Sequence, residues 1–312
     1  MAAHALRRLL AAAALVALVT SAAFLIVHAL PGEPGALFED ARVPPSQADR
    51  VRAAWGLDRP LGERYVKFVA AALRGDWGPS LAQHRPVADV LSEALPWTLL
   101  LAGAALGVEL ALGLWLGLAS ARRPGGRVDH LLRALTLGLR AVPGFWLALL
   151  LLAGFAIAWP VLPAGGTGDG SPASVLLHLV LPALAAGLPA AAGTARFVRA
   201  ALVEIAHEPF LLAARARGLA ARTVRYRHAL RAAAAPLVQI LGLSLGGLLS
   251  GALAIEVVFA WPGLGRVTYD ALLARDYPVL VAGAALAATA VVLGSLLAEL
   301  GHAALDPRVR DE

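Results

Sequence analysis

The pattern Gly242-Leu243-Ser244-Leu245-Gly246 has the G-x-S-x-G spacing that sets a nucleophilic serine on a sharp turn. That chemistry needs a strand, a turn and a helix around the serine, and a histidine at the same depth. Here the pentapeptide lies inside an uninterrupted apolar run, and His28 and His178 fall near the ends of other runs. Helix packing accounts for its glycines, so Ser244 is not expected to attack anything. The eight histidines show no H-E-x-x-H spacing and cysteine is absent, so neither a metal centre nor a disulfide is expected. Lys67 is the only lysine, and it lacks the G-x-x-x-x-G-K-[ST] context in which lysine reaches phosphates. No cofactor is therefore expected on this chain, and any ATP must be hydrolysed elsewhere. Glu109, Glu256 and Glu299 are the acidic residues within apolar runs, where a charge is costly and functional by default. Glu299 can reach the interface. Glu109 either lines a pathway or bonds across helices, and the residues alone leave both open. Three scattered carboxylates are too sparse a set for a proton-coupled carrier.

The elements that must position these groups are membrane helices. Of the 312 residues, 59% are hydrophobic and only 15% charged, and the mean hydropathy is +0.71. A soluble domain carries roughly a quarter charged residues. Long apolar runs alternate with short segments that hold nearly all the charge, as expected where lipid is the solvent. Six runs reach the roughly 20 helical residues that cross hydrocarbon: 9–30, 95–119, 131–159, 173–195, 237–260 and 279–300. Pro143, Pro182 and Pro189 fall in the third and fourth, where they are expected to bend helices packed against protein or a cavity. Small residues recur at four-residue spacing, as in Gly103, Gly107 and Ala111, then Gly113 and Gly117, then Gly242, Gly246 and Ser250. That spacing lets helix backbones approach closely in lipid.

Arginine sets the orientation. With the N-terminus inside, short cytoplasmic segments hold Arg7 and Arg8, the group from Arg122 to Arg140, the group from Arg196 to Arg231, and Arg308 and Arg310. The short outer loops hold only Arg266 and Arg275. This asymmetry follows the positive-inside rule and puts both termini in the cytoplasm. The net charge of +6 is thus topological, and no nucleic-acid partner is expected. Arg7-Arg8 before an apolar run resembles a signal peptide, but the run is too long and no small-x-small site closes it, so it reads as an uncleaved anchor.

Three regions follow: 1–94, a first span plus an amphipathic outer segment; 95–305, five spans enclosing a basic stretch at 196–235; and a tail at 306–312. A flexible outer loop is expected at 165–172. The basic stretch is the unusual part. Phe210 to Leu219 reads as a short helix ended by Gly218 in a left-handed C′ conformation, and a second helix follows through Thr223 to Leu230. Such a hook can dock into a partner's groove or merely solvate a topological loop.

These residues resemble the signature of binding-protein-dependent importer permeases, E-A-A-x3-G-x9-I-x-L-P. Leu212-Ala213-Ala214, Gly218 and His228-Ala229-Leu230-Arg231 stand at the matching positions, without the Glu, Ile and Pro of the general pattern. The variant Ala213-Ala214-Arg215-Ala216-Arg217-Gly218-Leu219 is similar to the T-A-R-A-K-G-L of the dipeptide/oligopeptide/nickel permease subfamily, and Arg227-His228-Ala229-Leu230-Arg231 to its R-H-A-L-[KR]. The likeness extends through Ala29-Leu30-Pro31-Gly32-Glu33-Pro34, Gly75-Asp76-Trp77-Gly78-Pro79-Ser80, Glu256-Val257-Val258-Phe259-Ala260-Trp261-Pro262-Gly263-Leu264-Gly265 and Asp306-Pro307-Arg308-Val309-Arg310.

The resemblance implies an all-α integral inner-membrane permease of the type I ABC importer (MetI-like) fold. It implies pairing with a second, homologous permease, two cytosolic ABC ATPases that carry ATP and Mg, and an extracytoplasmic solute-binding protein. It also implies that Leu212, Ala213, Ala214, Arg215, Arg217, Gly218, Leu219, His228 and Leu230 form the ATPase-coupling element. Glu256, Pro262, Gly263 and Gly265 would shape an outer gate or receptor contact, with Pro143, Pro182 and Pro189 as bending points. The solute stays open among dipeptides, longer peptides, glutathione-like molecules and metal chelates.

Overall fold

A computed structural model describes residues 2–29, 59–220, 223–224, 237, 240–242, 244, 246–248 and 252–305. All regular elements among them are helices. They are α1 (Ala2–Ala29), α2 (Leu61–Ala72), α3 (Val87–Ser120), α4 (Arg127–Ala141), α5 (Gly144–Leu152, continued by a π-wound turn over Ala153–Ala158), α6 (Pro172–Ile205), α7 (Pro209–Ala216), α8 (Leu253–Val258), α9 (Leu264–Leu273) and α10 (Tyr277–Leu305).

Among the described residues four helices are long and apolar enough to cross a membrane: Arg7–Ala29, Val87–Ser120, Pro172–Ile205 and Tyr277–Leu297. Their surfaces suit lipid. Leu10, Leu18 and Ile26 on α1 are all more than half exposed, which water would penalise. The third expected span is not one helix. Its halves, Arg127–Ala141 and Gly144–Ala158, meet at 99°. Pro143 (φ −59°) has no N–H to donate, and the residue before it, Val142, is driven into extended backbone (ψ 125°), so the ladder stops at Ala141 and restarts at Gly144. The bent pair brings the number of spans to at most five among the described residues. Seven of the 24 residues of the expected fifth span, 237–260, lie outside them.

Pro182 and Pro189 lie within α6, which runs unbroken for 34 residues, about 51 Å at 1.5 Å per residue. It therefore outreaches the roughly 30 Å of hydrocarbon. Ser171 caps its start, accepting the Ser174 N–H at 3.3 Å, and Pro172 opens its first turn.

The chain divides into two compact units, Met1–Thr98 with Pro262–Thr289, and Leu99–Trp261 with Ala290–Glu312. In the first, Phe24 stacks on His28 and Phe68, and Ser21 and the Tyr65 hydroxyl lie 2.7 Å apart, holding α2 on α1. Val87, Leu91, Ala271, Val279 and Ala282 form its core, with Trp77 packed against them.

The second unit is built on close contact between α3 and α6. A Cβ at Gly117 would lie 2.7 Å from Val198 Cβ, and one at Gly187 would lie 2.7 Å from the Ala105 carbonyl oxygen. Gly113 meets Thr194 in the same way, and Gly246 meets Gly294. Gly103 and Gly107, expected to pack likewise, face open space. The loop at 165–172 is tied down: Gly166 N–H donates to the Phe259 carbonyl at 2.8 Å, and Gly165 abuts the same group.

Candidate functional site

The hook begins where α6 ends. Leu211 and Ala214 on α7 are buried with Val224 and Leu237 against Val198 and Leu202 of α6. The opposite face, with Ala213, Ala216 and Arg217, is exposed. Gly218 has φ +78°, and the Leu219 N–H reaches back to the Ala214 carbonyl at 3.4 Å. That is the 6→1 bond of a Schellman ending, with glycine at C′ as the spacing requires. The backbone of Leu212 and Arg215 is helical, and the described residues end before their side chains. His228 and Leu230 lie outside the described residues, as do Pro31 to Asp58 and the Asp306–Arg310 tail.

A charge clamp, unforeseen from sequence, joins α4 to α6. Asp129, in the first turn of α4, accepts two bonds from the Arg199 guanidinium at 2.6 and 2.7 Å. It also accepts the Ser120 hydroxyl at 2.5 Å and the Gly125 N–H at 2.8 Å. Its side chain is 0% exposed and that of Arg199 22%. A fork-shaped cation on a buried carboxylate satisfies both charges and fixes one geometry. The one signal available was an acid in a helix's first turn, favourable to the helix dipole.

Beside this clamp, α4 and α6 wall a cavity of about 1090 Å3, onto which Arg133, Arg140, Arg196, Arg199, Thr194 and Ser244 open. Behind Thr194 and Ser244 sits Glu109, fully buried. Its Oε1 accepts the Thr194 hydroxyl at 2.6 Å and the Ser244 hydroxyl at 2.9 Å, while Oε2 has no partner among the described residues. Glu109 thus does bond across helices. Ser244 donates its hydroxyl hydrogen bond to a carboxylate from a helical backbone, without the elbow that nucleophilic serine needs.

Glu256 is buried on α8, and its carbonyl accepts the Trp261 N–H at 2.8 Å, closing the helix end through Ala260 at φ +49°. Pro262 follows. Gly263 is the extended residue before α9, in whose first turn Gly265 lies, and the Leu264 N–H donates to Thr98 Oγ1 at 2.8 Å. In the first unit, Asp276 precedes α10 and is buried. It accepts the Ser80 hydroxyl at 2.5 Å and the Ala82 N–H at 3.1 Å, so the Gly75–Ser80 motif serves to deliver Ser80 to a helix start. Sequence reading passed over Asp276, although an Asp just before Tyr-Pro is a helix-start signal.

Known proteins place this arrangement. The family model for binding-protein-dependent transport system inner membrane components matches residues 113–311, and the model for the N-terminal part of such membrane components matches residues 1–102. The oligopeptide transport system permease protein AppB of Bacillus subtilis is 32% identical over 99% of both chains. The dipeptide permease DppB of Escherichia coli K12 is 32% identical over 94% of both, and the glutathione permease GsiC of Pectobacterium atrosepticum 34% over 98% of both. Among solved structures, an inward-facing MetNI methionine ABC transporter superposes with a TM-score of 0.58 at 20% identity, covering 70% of this chain and 96% of that one. An amino acid ABC transporter reaches 0.55 at 18%, covering 69% and 94%. At those identities the structural likeness speaks for fold, and the fold is that of ABC importer membrane subunits. The chain belongs to the family of inner-membrane components of binding-protein-dependent transport systems, as a multi-pass ABC importer permease that is not itself an enzyme, the ATPase of such systems being a separate subunit.

Proposed function

We propose that this permease forms half of the translocation pathway for peptides or related small solutes, and that α7 with its Gly218 turn couples it to one of two cytosolic ATPases. A second, homologous permease supplies the other half, and an extracytoplasmic solute-binding protein delivers the solute. ATP and Mg sit on the ATPases. The peptide, dipeptide and glutathione permeases that the chain resembles support the solute class.

The anchoring of α7 carries the coupling role. Leu211 and Ala214 fasten the short helix to the end of α6, while its other face and the glycine turn remain open to a partner. Displacement of that face passes into a 34-residue helix through packed side chains, without slack from a flexible linker. The 99° break at Pro143 is one place where such motion is absorbed. The turn bearing Glu256, Pro262, Gly263 and Gly265 faces outward under the arginine asymmetry and suits a gate or a receptor contact.

The test compares Gly218→Asp with Gly218→Asn. Both side chains tolerate left-handed backbone better than most residues, and nothing lies within 4 Å of a Cβ placed there, so the pair separates charge from strain. In vesicles carrying the assembled importer and its binding protein, Gly218→Asp should insert and let ATP be hydrolysed while uptake is lost. Gly218→Asn should keep most uptake. Normal uptake by Gly218→Asp removes the coupling role.

A further inference from the structure

The cavity between α4 and α6 carries more positive charge than the fold consumes. Arg199 is committed to Asp129, but Arg133, Arg140 and Arg196 have no carboxylate within ion-pair distance among the described residues. Among the described residues no acidic side chain lines the space. Arg133 and Arg140 stand two turns apart on one face of α4, and Arg196 faces them from α6. Gly193 leaves room for Arg140: a Cβ there would lie 2.8 Å from Arg140 Nη1, so a side chain at 193 would push the guanidinium tip off its place against α6. On the hydroxyl side, Thr194 and Ser244 already donate their hydrogen bonds to Glu109 Oε1. Arginines grouped without a counter-charge repel one another, and an anion entering the space relieves that repulsion. Their planar forks match a carboxylate in shape as well as charge.

We infer that this cavity is a vestibule that reads the carboxylate of the passing solute, with Arg133, Arg140 and Arg196 as its binding residues and Gly193 as the residue that positions Arg140. The inference rests on the importer reading above and names the chemical group its solutes must share. A lipid phosphate would satisfy the same forks. It is disfavoured because three of the four exposed Val and Leu side chains of α4, Val128, Leu131 and Leu135, lie on the helix face opposite Arg133 and Arg140 and only Leu137 shares the arginine face, so acyl chains packed on the larger apolar face hold a headgroup away from the cavity.

The experiment uses the assembled permease–ATPase complex in nanodiscs, without the binding protein, so that the latter's selectivity does not enter. Binding of dialanine and of its C-terminal amide is measured by saturation-transfer NMR, in phosphatidylcholine alone and with phosphatidylglycerol added. The complex should bind dialanine in preference to the amide in both lipids. Arg140→Gln, Arg133→Gln and Gly193→Val should each weaken dialanine binding about 3- to 10-fold, the range for an exposed charge-assisted contact, and leave the amide unchanged. Gly193→Val retains every charge, so a loss there reports position. The three arginines are exposed and unpaired with carboxylates, and thermal melting checks that each variant assembles. Equal effects on both probes, no effect on either, or a preference that vanishes when phosphatidylglycerol is added each overturn the inference. Absence of ATP-driven uptake of any peptide by the complete wild-type importer is a different failure: it sinks the importer reading, and this one with it.

Discussion

The helix ends at Gly218 and at Ala260 make the same turn by different means. Each closes with a 6→1 bond, Leu219 N–H to the Ala214 carbonyl in one and Trp261 N–H to the Glu256 carbonyl in the other, and each puts its C′ residue in left-handed backbone. At Gly218 the turn is exposed and Leu219 beyond it is 39% exposed, so little packing is available and glycine's tolerance of positive φ holds the shape. At Ala260 a side chain sits where glycine would be comfortable, and the flanking Phe259 and Trp261 are 1% and 0% exposed. Burial of two aromatics outweighs the roughly 1–2 kcal/mol that left-handed backbone costs an L-residue. One turn is set by local propensity and stays accessible. The other is set by the core and is rigid.

That contrast can be broken experimentally. The largest effect is expected from Trp261→Ala, which should cost about 3–5 kcal/mol of stability, as loss of a fully buried aromatic does. Thermal melting in detergent would register it. A loss below about 1 kcal/mol would mean that packing does not hold the Ala260 turn. Next comes Gly218→Ala, expected to cost about 1 kcal/mol and only locally. Amide exchange at Arg217 and Leu219 should quicken while melting of the whole protein is unmoved. Smallest is Ala260→Gly, which relieves the strained backbone and should stabilise by about 0.5–1 kcal/mol, less what glycine adds to the unfolded chain's entropy. If it destabilises instead, the alanine methyl is packed and the turn is not strained.

Much of the frame was legible in the residues. The apolar runs at 9–30, 95–119, 173–195 and 279–300 each lie on a long helix, because an unsatisfied peptide group in lipid leaves helix as the only open choice. The helices run past the apolar spans. Asp89 and Glu93 extend α3 beyond the apolar run, and Arg196 and Arg199 extend α6. Hydropathy marks where lipid stops, whereas the hydrogen-bond ladder continues into water. Pro143 was expected to bend the third run and does, but composition carries no angle, so the 99° break was not legible. Glycine spacing correctly placed Gly113 and Gly117 in a close contact but misplaced Gly103 and Gly107, since periodicity names a face without naming what lies opposite. Gly218 succeeded because a left-handed helix end is a local event.

The polar interior was the part that stayed out of reach. Glu109 meets Thr194 across 85 positions and Ser244 across 135, Asp129 meets Arg199 across 70, and Ser80 meets Asp276 across 196. From sequence alone came the long apolar helices and the glycine that ends α7, because each depends on a residue's nearest neighbours and on the solvent around it. Which buried charges find one another, how sharply the chain turns at Pro143 and which arginines are left facing an open cavity were decided only by the packed helices. Those outcomes depend on distances across the fold, and no run of adjacent residues encodes them.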